Sequence, residues 1–184
     1  MSSLANYSPG PAYGAQVKKN PDLWTLILTR DLRHAPEKVW QALTDPAHLR
    51  EWAPFDADGN LDTVGATVTL TWVGTGRPTE AKVTRADRPW ALEFGNVRWE
   101  LEPLLSGTRL TLWTDIDPRF VAWGAAGWHI GIDVLDHLLA GDAIGRIAGA
   151  DGMKFEGWQR LVREYSAQFG KEPPDWQQGP AKKS

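Results

Sequence analysis

The chain has 184 residues, a formal net charge of −3, no cysteine and eleven tryptophans. Its length suits one domain burying roughly 70% of its extended surface, and its slight acidity leaves no basic footprint for nucleic acid or a membrane surface. The missing cysteine excludes disulfides, thiolate metal sites and a thiol nucleophile; with no signal-peptide pattern and no apolar run of membrane-spanning length, a cytoplasmic protein is expected.

Residues 1–20 show no period and are expected to form a flexible arm. Residues 24–32 alternate, with Trp24, Leu26 and Leu28 on one face and Thr25, Ile27 and Thr29 on the other, so they predict a strand. Pro36 and the pair Asp45-Pro46 mark the starts of two short helices, since proline in a first turn has no N–H to waste. Pro54 ends the second. From 60 to 115 the period is two, and strands are expected at 60–64, 67–73, 79–86, 90–94, 97–103 and 108–115. The short breaks between them, such as Gly95-Asn96 and Ser106-Gly107, imply an antiparallel meander. One parity is apolar: Val68, Leu70, Trp72, Ala81, Val83, Trp90, Leu92, Phe94, Val97, Trp99, Leu101, Leu110 and Leu112. The other carries Thr69, Glu80, Lys82, Arg98, Glu100 and Arg109. The sheet therefore has one wet face and one apolar face, and helices must cover the second.

Residues 123–141 supply the main cover. At helical spacing Trp128, Ile132, Leu135 and Leu139 form an apolar stripe. Gly124, Gly127 and Gly131 lie along one flank of it, each at a cost of about 1 kcal/mol of helicity relative to alanine. Either a sheet packs closely there or the helix leaves room for a ligand. His129, Asp133, Asp136 and His137 gather on the opposite side and are expected to face water. The spacing of His129, Asp133 and His137 matches three ligands on one helical face, but a solvated face reads as simple charge pairing, and no metal is expected. A last helix carries Phe155, Trp158, Leu161, Val162, Tyr165 and Phe169 on one stripe and stops at Gly170. Residues 21–170 thus read as a single domain, and 171–184 as a flexible tail.

The segment LTRDLRHAPEKVWQALTDPAHLREW (28–52) resembles the opening signature of the SRPBCC, or START-like, superfamily. RPWALEFGNVRWELEPLLSGTRLTL (88–112) and GWHIGIDVLDHLLAG (127–141) are similar to the later strands and closing helix of its branch named after the activator of Hsp90 ATPase homologue. The resemblance covers about 24–141 and implies an α+β helix-grip fold. In that fold a curved antiparallel sheet wraps a long C-terminal helix, two short helices follow the first strand, and an apolar cavity lies between sheet and helix. Members of the superfamily bind lipids, hormones or polyketides there, and some are cyclases or aromatases.

On this layout Trp72, Trp90, Phe94, Trp99 and Leu112 from the sheet face Gly127, Trp128, Gly131, Ile132 and Leu135 of the helix, with Arg85 near a strand end and Trp52 near the mouth. The tryptophans either fill a core or wall a pocket for a flat ligand. Polar groups on the apolar parity are few: Arg30, Arg85 and Thr114. There is no carboxylate pair, no Ser-His-Asp order and no phosphate-binding glycine loop. The expectation is a protein that binds a small hydrophobic or aromatic molecule without a cofactor and without chemistry of its own. Two alternatives stand beside it: a cyclase/aromatase-like enzyme using the same cavity, with Arg30 or Arg85 as an oxyanion partner, and a co-chaperone-like module binding a protein partner through the wet sheet face. A homodimer is also left open.

Overall fold

Strict alternation along the strands produces one antiparallel sheet of eight, in the order β1-β2-β8-β7-β6-β5-β4-β3. The structure, a computed structural model, describes residues 6–175. In chain order the strands are β1 (Ala15–Lys19), β2 (Trp24–Leu32), β3 (Phe55–Ala57), β4 (Thr67–Trp72), β5 (Pro78–Asp87), β6 (Ala91–Phe94), β7 (Val97–Leu104) and β8 (Gly107–Ile116). The meander runs from β3 to β8, and β8 then pairs with β2, bringing Leu28 opposite Leu112. Helices α1 (Pro36–Thr44) and α2 (Pro46–Trp52) follow β2, and α3 (Val121–Leu139) follows a short turn at Pro118–Phe120. Both early helices begin at the prolines, and the Asp45 carboxylate caps α2 by accepting from the Ala47 N–H at 2.9 Å. This is the helix-grip arrangement: a sheet with its apolar face turned onto one long helix.

Three segments depart from expectation. Residues 60–64 form turns, because the Asn60 side chain accepts from the Asp62 N–H at 2.9 Å and competes with strand pairing. The first strand of the meander is instead β3, whose Phe55 lies opposite Trp72. The supposed free arm is anchored: β1 pairs with the edge of β2, Ala15 opposite Leu28 and Lys19 opposite Trp24. Apolar Ala15 is buried there, so the segment extends the sheet rather than hanging from it. Residues 1–5 of the expected arm and 176–184 of the expected tail lie outside the described residues. Finally, the last helix does not carry Phe155 on its stripe: a short α4 (Gly149–Lys154) precedes α5 (Glu156–Phe169) with Phe155 at their junction, and α5 ends on Gly170 in the left-handed region at φ 66°.

The helix glycines have three different surroundings. A β-carbon at Gly124 would sit 2.5 Å from the Cδ1 of Ile116. At Gly131 the nearest atoms are the Trp52 carbonyl oxygen at 3.8 Å and its indole Cε3 at 3.9 Å, which is ordinary contact. At half-buried Gly127 nothing among the described residues lies within 4 Å of that position. Gly131→Ala should therefore stabilise the protein by up to about 1 kcal/mol through better helix propensity. A lower melting temperature for that variant in calorimetry would show that α2 and α3 tolerate no methyl group between them.

Candidate functional site

Between sheet and helix the indoles of Trp52, Trp99 and Trp128 meet one another. Centroids are 6.1 Å apart for Trp52–Trp99, 6.5 Å for Trp52–Trp128 and 5.6 Å for Trp99–Trp128, all tilted or edge-on. The Trp52 indole N–H is satisfied by the Ala42 carbonyl at 2.9 Å. Phe94, Leu112, Gly131, Ile132 and Leu135 are buried in the same layer. Trp72 is half-buried at its margin, edge-on to Phe55 at 5.2 Å. These residues come together as the spacing suggested, with Gly127 as an open notch along the helix flank.

Two of the expected lining residues point elsewhere. Val83 pairs with Phe94 but Arg85 with Glu93, so a bulge at Thr84 reverses the parity of β5. Arg85 consequently lies on the wet face, bonded to Asp87 at 2.7 Å. Trp90 precedes β6 in a turn whose N–H bonds back to the Asp87 carbonyl at 2.6 Å, which leaves the indole 45% exposed.

The polar side of α3 is the larger correction. His129 is only 1% exposed, because α5 and residues 7–14 cover the side expected to face water. Arg30, on the apolar parity of β2, is 4% exposed. Its Nη1 donates to the carbonyls of Tyr13 at 2.8 Å and Thr29 at 2.9 Å, and its Nη2 to His129 Nδ1 at 3.0 Å. The Tyr165 hydroxyl lies 2.7 Å from the same nitrogen. Arginine cannot accept, so Nδ1 must be the acceptor and the imidazole proton resides on Nε2. That nitrogen faces Asp133 Oδ2 at 3.7 Å, and Asp133 in turn accepts from the Tyr7 hydroxyl at 2.5 Å. A line of polar groups thus runs from sheet to surface: Arg30, Tyr165, His129, Asp133, Tyr7. The Arg30 Nε has no partner among the described residues.

Burial sets the charge states along this line. It pushes the His129 pKa down to about 3, helped by the positive charges of Arg30 and Arg160. It raises the Asp133 carboxyl above its usual range despite the Tyr7 hydrogen bond and Arg30. The phenols of Tyr7 and Tyr165 are raised, again chiefly by burial. The cluster is therefore a neutral imidazole held beside a fixed cation, which suits hydrogen bonding and gives a poor proton donor. His137 faces Asp142 at 3.5 Å instead and does not join the His129–Asp133 pair. Among the described residues no group of three or more His, Asp or Glu is placed to hold a metal ion.

A pH dependence follows. Between about pH 6.5 and pH 3 the unfolded chain binds a proton on His129 that the folded chain refuses. Stability is thus full above pH 6.5 and falls as pH drops through that window, while the raised Asp133 carboxyl acts in the opposite direction. In urea titrations the protein should lose about 1–2 kcal/mol between pH 7 and pH 5 that His129→Gln does not lose. Equal losses in the two proteins would show that His129 is free to ionise in the fold.

One signal for this buried side was present in the sequence. Ala122, Ala125, Ala126, Ile130 and Val134 make α3 apolar nearly all round, which marks a helix covered on both sides.

Residues 25–138 match the family described as polyketide cyclase / dehydrase and lipid transport. The chain belongs to this family. It is the family, within the wider superfamily, that the match supports; the Hsp90-activator branch stays a resemblance of 88–112 and 127–141. Solved structures carry the same fold. CalU16 from Micromonospora echinospora is 19% identical with a TM-score of 0.60, over 88% of this chain and 98% of its own. A conserved protein of unknown function from Enterococcus faecalis is 15% identical with a TM-score of 0.64, over 84% and 89%. DynU16, a protein of the dynemicin biosynthetic locus, is 24% identical with a TM-score of 0.55, over 66% of this chain and 49% of its own. No curated protein sequence matches the chain. No helix among the described residues is long and apolar enough to cross a membrane.

Proposed function

We propose that this polyketide cyclase / dehydrase family member binds a small hydrophobic or aromatic molecule between sheet and long helix. The observation that carries the reading is the notch at Gly127, half-buried and with nothing among the described residues within 4 Å of the position a β-carbon would take. It lies next to Trp128, whose ring joins those of Trp52 and Trp99. A flat apolar ligand entering at Gly127 meets indole faces and edges and asks for no charge compensation. The remaining cavity residues of this proposal are Trp72, Phe94, Leu112, Gly131, Ile132 and Leu135.

The test is an apolar fluorescent probe, 8-anilinonaphthalene-1-sulfonate, titrated into the folded protein and into Gly127→Phe, together with native mass spectrometry of the purified protein. Saturable binding that Gly127→Phe abolishes while the melting temperature is kept supports the site. Unchanged binding in the variant removes it.

The buried Arg30–His129–Tyr165 cluster favours a second reading, a cyclase-like enzyme acting on the same kind of molecule, since guanidinium and phenol donors stabilise enolate oxygen. Turnover of a co-purified molecule that Arg30→Lys slows would select it. The narrower co-chaperone-like reading rests on resemblance alone.

A further inference from the structure

Tyr7 occupies a slot on the side of α3 turned away from the sheet. Its ring stacks on Phe155 with centroids 5.8 Å apart and planes 13° from parallel. The His137 ring meets it edge-on at 6.1 Å and 84°. Its hydroxyl donates to Asp133 Oδ2 at 2.5 Å. These are the contacts that any phenol requires: a face to stack on, an edge to fix its tilt and a carboxylate to take its proton-bearing oxygen.

Open space lies on both sides of the ring. A cavity of about 340 Å³ is bounded by Asp133, Asp136, His137 and Ile144, and one of about 790 Å³ by Phe155, Gly157, Arg160 and Arg163. Tyr7 and Ser8 belong to the walls of both, so the half-buried Tyr7 side chain is a partition between them at the margin of the core. The chain that carries it is fixed further along. Arg160 binds the carbonyls of Pro9 and Gly10, Glu164 accepts from the Ala12 N–H at 3.2 Å, and Arg30 binds the Tyr13 carbonyl. Tyr7 can therefore leave the slot without undoing those bonds or the pairing of β1.

We propose that this slot is a second binding site, outside the sheet–helix interior, for an aromatic ring bearing a phenol-type hydroxyl, and that Tyr7 is its resident plug. Asp133 receives the ligand hydroxyl, Phe155 the ring face, and Arg163 on the far wall suits an anionic substituent, Arg160 being held by Glu164 and by the Pro9 and Gly10 carbonyls. The plug keeps half-buried Asp133 supplied with a donor when no ligand is present, since a carboxyl partly removed from water gains from one. A ligand must displace it, so the intact protein binds more weakly than one whose slot is already empty.

The test uses full-length protein and two soluble acids, 3-(4-hydroxyphenyl)propionate and 3-phenylpropionate, which differ only in the hydroxyl, with binding followed by isothermal titration calorimetry. Tyr7→Ala should bind the hydroxylated acid saturably and at least about tenfold more tightly than the parent. It should prefer that acid to the deoxy analogue by about tenfold or more, as expected for a hydrogen bond to a charged acceptor. Adding Asp133→Ala, which leaves no side-chain acceptor, should erase the preference, and Gly127→Phe, which blocks the interior site, should leave it unchanged. No saturable binding to Tyr7→Ala, equal affinity for the two acids, or a preference that survives Asp133→Ala overturns the site. A parent that binds as tightly as Tyr7→Ala overturns the plug.

Discussion

Arg30→Ala should destabilise the folded protein by about 3–5 kcal/mol, measured by urea denaturation at pH 7. The guanidinium is the common donor for the Tyr13 and Thr29 carbonyls and for His129 Nδ1, and it lies 3.8 Å above the Tyr13 ring. The His129 contact is buried and the two carbonyl contacts partly so, and a buried acceptor left without a donor costs about 1–3 kcal/mol. The Tyr165 hydroxyl can rescue only one of them, since it has a single proton to give. Losing the stem also removes packing between β2 and residues 7–14. Arg30→Met keeps the stem and loses the donors, so it should fall between parent and alanine. The His129 imidazole, no longer facing a cation, should also rise toward its ordinary pKa, and the acid-side loss of stability should shrink. A loss below about 1 kcal/mol for Arg30→Ala would show that the cluster is solvated and not a structural joint between sheet, α3 and α5.

Much of the frame was legible because period two and period 3.6 are imposed by which faces must be buried. β4 to β8 stand within a residue or two of the alternating segments, and α3 and α5 follow their stripes. What escaped lacks a period of its own. β3 is three residues long, too short for alternation to show, and it exists because Phe55 packs on Trp72 and Phe94. β1 pairs because β2 offers an open edge, which is a property of the sheet and not of residues 15–19. Arg85 was misplaced by one bulge, since a single inserted residue moves every later side chain of a strand to the other face. The site divides the same way. Trp52, Trp99 and Trp128 were visible as inward-facing aromatics, whereas the burial of His129 depends on α5 and on a segment more than a hundred residues earlier in the chain. A stripe on one face of a helix says nothing about what covers the reverse.

The second large effect belongs to Trp99. It lies on β7 between Leu92 of β6 and Leu112 of β8, and its indole edge-contacts both Trp52 on α2 and Trp128 on α3. One side chain thus ties three strands to two helices. Trp99→Ala should cost about 3–5 kcal/mol, the range for removing a fully buried large aromatic and leaving a void. The walls left behind, Trp52, Trp128, Leu92 and Leu112, are apolar and come from separate elements of the fold, so the space should remain open and dry rather than close over. Indole added at millimolar concentration should then bind in the vacated volume and raise the melting temperature of Trp99→Ala while leaving the parent unchanged. Trp99→Phe should recover most of the loss, because a six-membered ring still reaches one of the two partner indoles. If Trp99→Ala loses less than about 1 kcal/mol, or if indole fails to restore it, the aromatic layer can rearrange around a missing ring. A layer that soft would not present the fixed walls that recognition of a flat ligand at the Gly127 notch requires.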